Sequence, residues 1–283
     1  INMVSIGGIA IGVMALIIVI GVMTGFDHDL REKIVGANAH ILVEKESGVK
    51  KYPQLEEKLS KVAGVQAVTA YVHGNVFLEN NQRAMSLVLR GIAPPNEGKV
   101  TKIDSYLSHG KIADLKSDEI MIGSQLASYY GYKVGDKVTL IAPASGVAGS
   151  GWRYEFKVAG IFKSGMYEYD MNLVLIDIHK SQEIFHLDKD VSSGIGLKLN
   201  NPDMASKIKE AIYEDIGFSF MIRTWMETNA TFFAALRLEK FAMFIILTLI
   251  VLVASFNIIS TLIVTVTSKV KDIGILKSIG VSA

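Results

Sequence analysis

The chain has 283 residues, a formal net charge of +1, no cysteine and half of its residues hydrophobic, for a mean hydropathy of +0.34. So even a charge balance gives no electrostatic footprint for nucleic acid, and the lack of cysteine excludes a disulfide scaffold and thiolate metal sites. The hydropathy is concentrated toward the two ends, leaving a mixed-charge stretch over residues 27–240.

Residues 1–26, INMVSIGGIAIGVMALIIVIGVMTGF, carry no charged side chain and are expected to form transmembrane helix 1. The run is longer than the apolar part of a signal peptide, and no A-x-A cleavage pattern follows it. Gly8 and Gly12 make a G-x-x-x-G, which either packs this helix on another or reflects the ordinary abundance of glycine in membrane helices. Phe26, Leu30 and Ile34 recur at helical spacing, so the helix is expected to continue as a stalk and stop at Gly36.

The next stretch holds an internal echo. His40–Lys45 reads as a strand, Pro53 opens a helix closed by Gly64, and an apolar run starts at Val65. Gly194–Leu199 reads as a strand, Pro202 opens a helix closed by Gly217, and Phe218–Arg223 reads as a strand. These two units predict a split β-α-β subdomain over 27–90 and 187–230, with a β-rich subdomain over 91–186 inserted in it. Val76–Glu79 and Ala84–Arg90 suggest a hairpin, and Pro94-Pro95 a break. Within the insert, Glu119–Ile122, Lys137–Ile141, Glu155–Phe162 and Asn172–Ile176 read as strands and Ser124–Tyr130 as a short helix. Between two of these strands lies PASGVAGSGWR, Pro143–Arg153, which lacks the Lys-Ser/Thr ending of a phosphate loop. It is a hairpin tip, either a plain exposed loop or a docking loop with Pro143, Val147, Trp152 and Arg153 as contact residues and Trp152 as anchor.

Residues 241–266 again carry no charge and are expected to form transmembrane helix 2. Asn257, Ser255, Ser260 and Thr261 fall inside it and need partners there. Asn257 is assigned to a helix–helix contact, and the hydroxyls either to neighbours or to their own backbone. Met14, Ile18, Phe244 and Leu247 are candidates to face lipid, acyl chains or protein. In residues 267–283, Lys269, Lys271 and Lys277 stand against one acid, Asp272, which places this tail, and with it Ile1, on the cytoplasmic side and the large domain outside.

Catalytic chemistry is missing from the sequence. The histidines are scattered, with no H-E-x-x-H; there is no G-x-S-x-G elbow and no nucleotide-binding motif. No catalytic, cofactor-binding or metal-binding residue is expected, and any ATP chemistry falls to another chain.

Three segments resemble the permeases of lipoprotein-releasing (Lol) transporters: SIGGIAIGVMALIIVIGVMTGFDHDLREKI, GDKVTLIAP followed by FKVAGIF, and FNIISTLIVTVTSKVKDIGILKSIGVSA. The wider superfamily includes macrolide-exporter-type and cell-division permeases. The resemblance implies a membrane α-helical protein with a bipartite α+β periplasmic domain flanked by two transmembrane helices, in the bacterial inner membrane. In that family further spans follow, so the chain is expected to be truncated after Ala283. The implied partners are a cytoplasmic ATPase dimer that binds ATP and magnesium, a second permease protomer, a periplasmic lipoprotein carrier, lipoprotein substrates and membrane lipid. Lys269, Lys271, Asp272, Ile273, Gly274, Leu276, Lys277 and Gly280 are then the helix that couples to the ATPase, and Pro143–Arg153 takes the position of the carrier-binding loop. Macrolide or peptide efflux, or force relay to a cell-wall hydrolase, are the functions implied by the neighbouring branches.

Overall fold

The computed structural model describes residues 2–80, 83–108, 110–143 and 151–280, with side chains at all of these but 2–6, 8, 9, 27, 28, 30, 37, 83 and 84. It has two compact units, Ile1–Leu30 with Ala230–Ala283, and Arg31–Asn229. The first helix, α1 (Asn2–Ala37), continues past the uncharged run, and from Arg31 onward its residues belong to the second unit.

In chain order the second unit then holds β1 (Ile41–Lys50), α2 (Tyr52–Ser60), β2 (Val65–Asn80), β3 (Arg83–Ile92), α3 (Pro94–Val100), α4 (Ile103–Tyr106), β4 (Glu119–Gly123) and α5 (Ser124–Tyr130). There follow β5 (Lys137–Pro143), β6 (Gly151–Phe162), α6 (Tyr167–Asn172), β7 (Leu173–Asp177), α7 (Ile178–Ile184), β8 (Val191–Leu199), α8 (Ala205–Ile216), β9 (Met221–Thr224) and α9 (Trp225–Thr228). All strands join one sheet in the order β3-β7-β4-β6-β5-β2-β8-β1-β9, and β3 also pairs with β2.

That extra pairing closes part of the sheet into a ring, β2-β3-β7-β4-β6-β5 and back to β2. Alternate residues of these strands point inward, and Leu78, Leu87, Leu89, Ile120, Val138, Leu140, Phe156 and Val174 form a dry core. Outside the ring, β8 lies antiparallel between β1 and β2, and β1 antiparallel between β8 and β9. Each β-α-β unit thus holds a strand of the other between its own two. β2 serves both parts: Val65–Tyr71 pairs with β8, and Tyr71–Asn80 pairs with β3.

Several sequence expectations are corrected here. The hairpin β2–β3 joins the ring through Tyr71–Asn80 and Arg83–Ile92, within the compact unit Arg31–Asn229. Two-residue alternation reports which face of a strand is buried but not which sheet it joins. Pro94-Pro95, read as a break, opens α3, since proline suits a first helical turn. α6 and α7 were not foreseen; α7 is started by the Asp177 carboxylate, which accepts from the His179 and Lys180 amides at 2.8 and 3.3 Å.

Back in the first unit, α10 (Ala230–Ser278) is one helix of 49 residues. Both α1 and α10 contain stretches long and apolar enough to cross a membrane. The expected division between residues 241–266 and a separate helix over 269–280 does not occur. No proline lies in this stretch. The hydroxyls of Thr261, Thr265, Thr267 and Ser268 bond back to preceding carbonyls at 2.7–2.8 Å, which leaves the helical ladder intact. The chain leaves the helix at Gly280, whose φ of +89° is left-handed backbone that a residue with a Cβ disfavours.

Candidate functional site

The hairpin β5–β6 is in register from Lys137↔Lys157 to Pro143↔Gly151, so residues 144–150 connect its strands. Val147 lies outside the described residues. Pro143 is exposed and Trp152 keeps 60% of its surface open, an indole left in solvent at the end of a strand. Arg153 reaches over β5 and donates twice to the Glu79 carboxylate on β2, at 2.9 and 3.0 Å. That bidentate pair holds Glu79 below the usual carboxylate range. Arg153 therefore braces the hairpin, and Trp152 is the large apolar side chain exposed there among the described residues.

At the far end of α10 the residues assigned to coupling from Lys269 to Lys277 lie on exposed helix, and Gly280 just past its end. Lys269 pairs with Asp272 at 3.3 Å, three residues on. Ile273 and Leu276 are 51% and 48% exposed and make a short apolar edge, with Lys269 and Lys277 at i−4 and i+4 from Ile273 on the same helix face. Gly274 faces open space.

Of the packing residues, the surroundings of Gly8 lie outside the described side chains. A Cβ on Gly12 would sit 3.8 Å from Ile250 Cγ2, an ordinary contact, so the backbone there does not require glycine. Asn257 is exposed on α10. Ser255 and Thr261 donate to Val251 O and Asn257 O, each at 2.8 Å, so these two hydroxyls bond their own backbone.

Two features were not visible in the sequence, because each joins residues far apart in the chain. The first is the anchorage of the end of α1 in the domain. The Arg31 guanidinium lies over the Trp225 ring, 5.2 Å from its centre, and pairs with Asp203. Trp225 is buried and donates through Nε1 to Pro202 O at 3.0 Å, tying both partners of Arg31 together. On the same terminal stretch Ile34 is buried, the Lys102 amide donates to Gly36 O at 2.8 Å, and Tyr169 donates its hydroxyl to Asn38 Oδ1 at 2.8 Å. Next to this anchorage, buried His40 accepts the Leu199 amide on Nδ1 at 3.0 Å, and burial together with Lys198 lowers its pKa to about 4.

The second is a cleft of about 400 Å³ lined by residues of β1, β2, β3, α6 and β7, among them Glu44, Tyr71, His73, Val88, Arg90 and Leu173. Behind it runs a polar chain that is buried at Tyr71 and Glu97 and open to solvent at Arg223. Glu44 and Tyr71 both flank Gly194 of β8, and a Cβ there would lie 2.7 Å from the Tyr71 hydroxyl. Without one, Tyr71 reaches across the strand and donates to Glu44 at 2.6 Å, and Arg223 donates to the other Glu44 oxygen at 2.5 Å. Burial and the Glu44 carboxylate push the Tyr71 phenol well above its ordinary pKa, so it remains a donor. Arg90 stacks 4.9 Å from the Tyr71 ring centre, and lies 3.5 Å from buried Glu97 without forming a hydrogen bond. Among the described residues no group of His, Cys, Asp and Glu is placed to hold a metal.

With this geometry in hand, comparison with known proteins gives consistent matches. The profile of the MacB-like periplasmic core domain matches residues 3–214. The lipoprotein-releasing system transmembrane protein LolC of Neisseria meningitidis serogroup B is 36% identical over 289 residues, covering 100% of this chain and 69% of that protein. LolE of Haemophilus influenzae is 26% identical, covering 96% of this chain and 68% of that protein. The periplasmic region of MacB from Actinobacillus actinomycetemcomitans superposes with a TM-score of 0.47 at 13% identity, covering 71% of this chain and 95% of that one.

Proposed function

The chain belongs to the family of MacB-like periplasmic core domains and, within it, to the lipoprotein-releasing transmembrane proteins, and on that premise we propose that it works as the non-catalytic permease subunit of an ATP-driven lipoprotein extractor. In this reading α1 and α10 cross the inner membrane, the Arg31–Asn229 domain stands in the periplasm, and ATP with magnesium is bound by a partner ATPase. Lipoproteins leave the outer leaflet of that membrane and pass to a periplasmic carrier. The observation that carries this reading is the LolC likeness over the whole length of the chain, both apolar helices and the domain included.

The physics of the parts supports a mechanical role. At 1.5 Å per residue, a helix the length of α10 extends about 74 Å, well beyond a bilayer core of roughly 30 Å, so one rod can serve both sides. The apolar edge Ile273–Leu276 with its lysines suits a groove on the ATPase, and Gly8, Gly12 and Asn257 suit packing on a second permease protomer. Contacts of Arg31 with Trp225 and of Gly36 with Lys102 tie the last turns of α1 into the domain. Trp152 is the contact we assign to the carrier.

The test is reconstitution of the full-length permease complex with its ATPase in proteoliposomes holding a triacylated lipoprotein. ATP-dependent release that requires added carrier supports the proposal. ATP hydrolysis without release contradicts it and favours efflux or force relay.

A further inference from the structure

Alternation along the ring strands turns Val76, Leu78, Leu87, Leu89, Leu140 and Val174 into the dry core. Phe77, Val88, Ile141 and Leu173, next to them in sequence, therefore point out from the same strands. Elsewhere on that outer face apolar side chains are covered: Met121 and Leu175 pack with Ile103 and Ile112. Over β7, β3, β2 and β5 the cover is missing. Val88 and Phe77 stay 41% and 38% exposed, and Ile141 and Leu173 are half-buried. Strand pairing sets these four in a row. Leu173 lies beside Val88, Val88 beside Asn75, two residues from Phe77, and Phe77 beside Ile141. At a strand spacing of about 4.8 Å the row is about 14 Å long. Its borders, Asn75, Ser86 and Thr139, are uncharged, and the nearby Arg153 and Glu79 neutralise each other. One end of the row lies in the cleft, which Val88 and Leu173 line with Leu42, and which Asn38 and Tyr169 line where α1 joins the domain. The charged groups of the cleft face one another, Glu44 toward Arg223 and Arg90 toward Glu97. The other end is Ile141, one position before the pair Ala142↔Trp152 that carries the exposed indole.

We propose that this row is a track for one acyl chain of the transported lipoprotein, leading from the cleft beside the end of α1 to the hairpin that carries Trp152. The proposal rests on the lipoprotein reading, which supplies a ligand whose apolar part is a hydrocarbon chain. Size favours such a chain over a protein partner. Four partly exposed side chains fall far short of the roughly 800 Å² that each partner gives to a standard protein interface. The shape agrees, because a single file of apolar side chains with uncharged borders suits a hydrocarbon chain, which asks for no polar contact and gains from each methylene taken out of water. Held along the row, the chain reaches the hairpin assigned to the carrier with one side out of water.

The test uses the full-length complex with its ATPase in nanodiscs and a soluble dioctanoylglyceryl-cysteine peptide with a diazirine at the end of one chain. Irradiation without ATP, followed by peptide mapping, is expected to label the segments that hold Phe77, Val88, Ile141 or Leu173. Val88→Glu, at an exposed position, is expected to cut that label at least fivefold with the melting temperature unchanged, and Phe77→Ser to do the same from the neighbouring strand. In proteoliposomes Val88→Glu is expected to slow ATP-driven release of a triacylated lipoprotein several-fold, while ATP hydrolysis and carrier pull-down hold at parental levels. Label confined to α1 and α10, or undiminished label in both variants, overturns the track whatever the transport assay shows. Loss of carrier pull-down in Val88→Glu also overturns it and makes the row a protein-docking face. A parental complex that labels along the row yet releases no lipoprotein sustains the chain-binding row and refutes the lipoprotein reading.

Discussion

The domain and the helical unit differ in where their apolar side chains find cover. Arg31–Asn229 buries its own: Phe156, Leu89 and Ile120 of the ring are at most 1% exposed. In the helical unit no described side chain is buried, and Phe244, Leu252 and Ile263 stand 65%, 47% and 60% open. Hydrophobic burial stabilises a fold by roughly 25 cal/mol per Å² of apolar surface removed from water. The domain collects that term within one chain, whereas α1 and α10 must collect it from lipid or partner helices. The same residue types therefore mean a core in one region and an interface in the other.

The sharpest way to break this contrast is to cut the same kind of side chain from each region. Phe156→Ala is expected to destabilise the domain by about 3–5 kcal/mol, read as a lower urea midpoint. Leu252→Ala is expected to leave that midpoint where it was and to change only assembly with partner chains. A large loss of domain stability from Leu252→Ala contradicts the division.

Next in size is acid. His40 keeps its neutral form in the fold because its pKa is lowered to about 4, against 6.5 when unfolded. Between those values the unfolded chain binds the additional proton, so stability is full above pH 6.5 and falls as pH drops toward 4. The loss approaches about 3 kcal/mol for this one group. His40→Asn, which still offers an acceptor to the Leu199 amide, is expected to flatten that slope in urea melts at pH 7 and pH 4.5.

Smaller again is the anchorage of α1. Arg31→Ala removes a partly exposed stacking and ion-pair contact worth about 1 kcal/mol. Its larger expected effect is on function: ATP hydrolysis continues while lipoprotein release slows several-fold. Arg31→Lys, which keeps the charge and loses the planar stack, should fall between. The smallest stability effect belongs to Trp152→Ala, whose indole is mostly in solvent; carrier binding by pull-down should drop while the melting curve stays put.

What the sequence disclosed follows the same division. Uncharged runs and glycine or proline punctuation are local signals, so the apolar stretches of α1 and α10, the two β-α-β echoes and the hairpin around residues 144–150 were all legible. Placing β3 in the ring, uniting Arg31 with Trp225 and Asp203, and bringing Arg90 beside Tyr71 and Glu97 all depend on tertiary pairing. No periodicity reports that 172 positions separate Arg31 from its carboxylate partner. The continuity of α10 through Lys269 was missed for a different reason. A change from apolar to basic composition reads as a new element, but lysine has a high helix propensity, so the ladder runs on through it.

The central claim is that movement enters through the exposed apolar edge of α10 and does work at the domain. The most direct measurement is ATP-driven, carrier-dependent lipoprotein release by the reconstituted complex bearing Leu276→Asp. The account predicts that release is lost while the domain melts at its parental temperature and the permease still reaches the membrane. Release at the parental rate from that variant would contradict it.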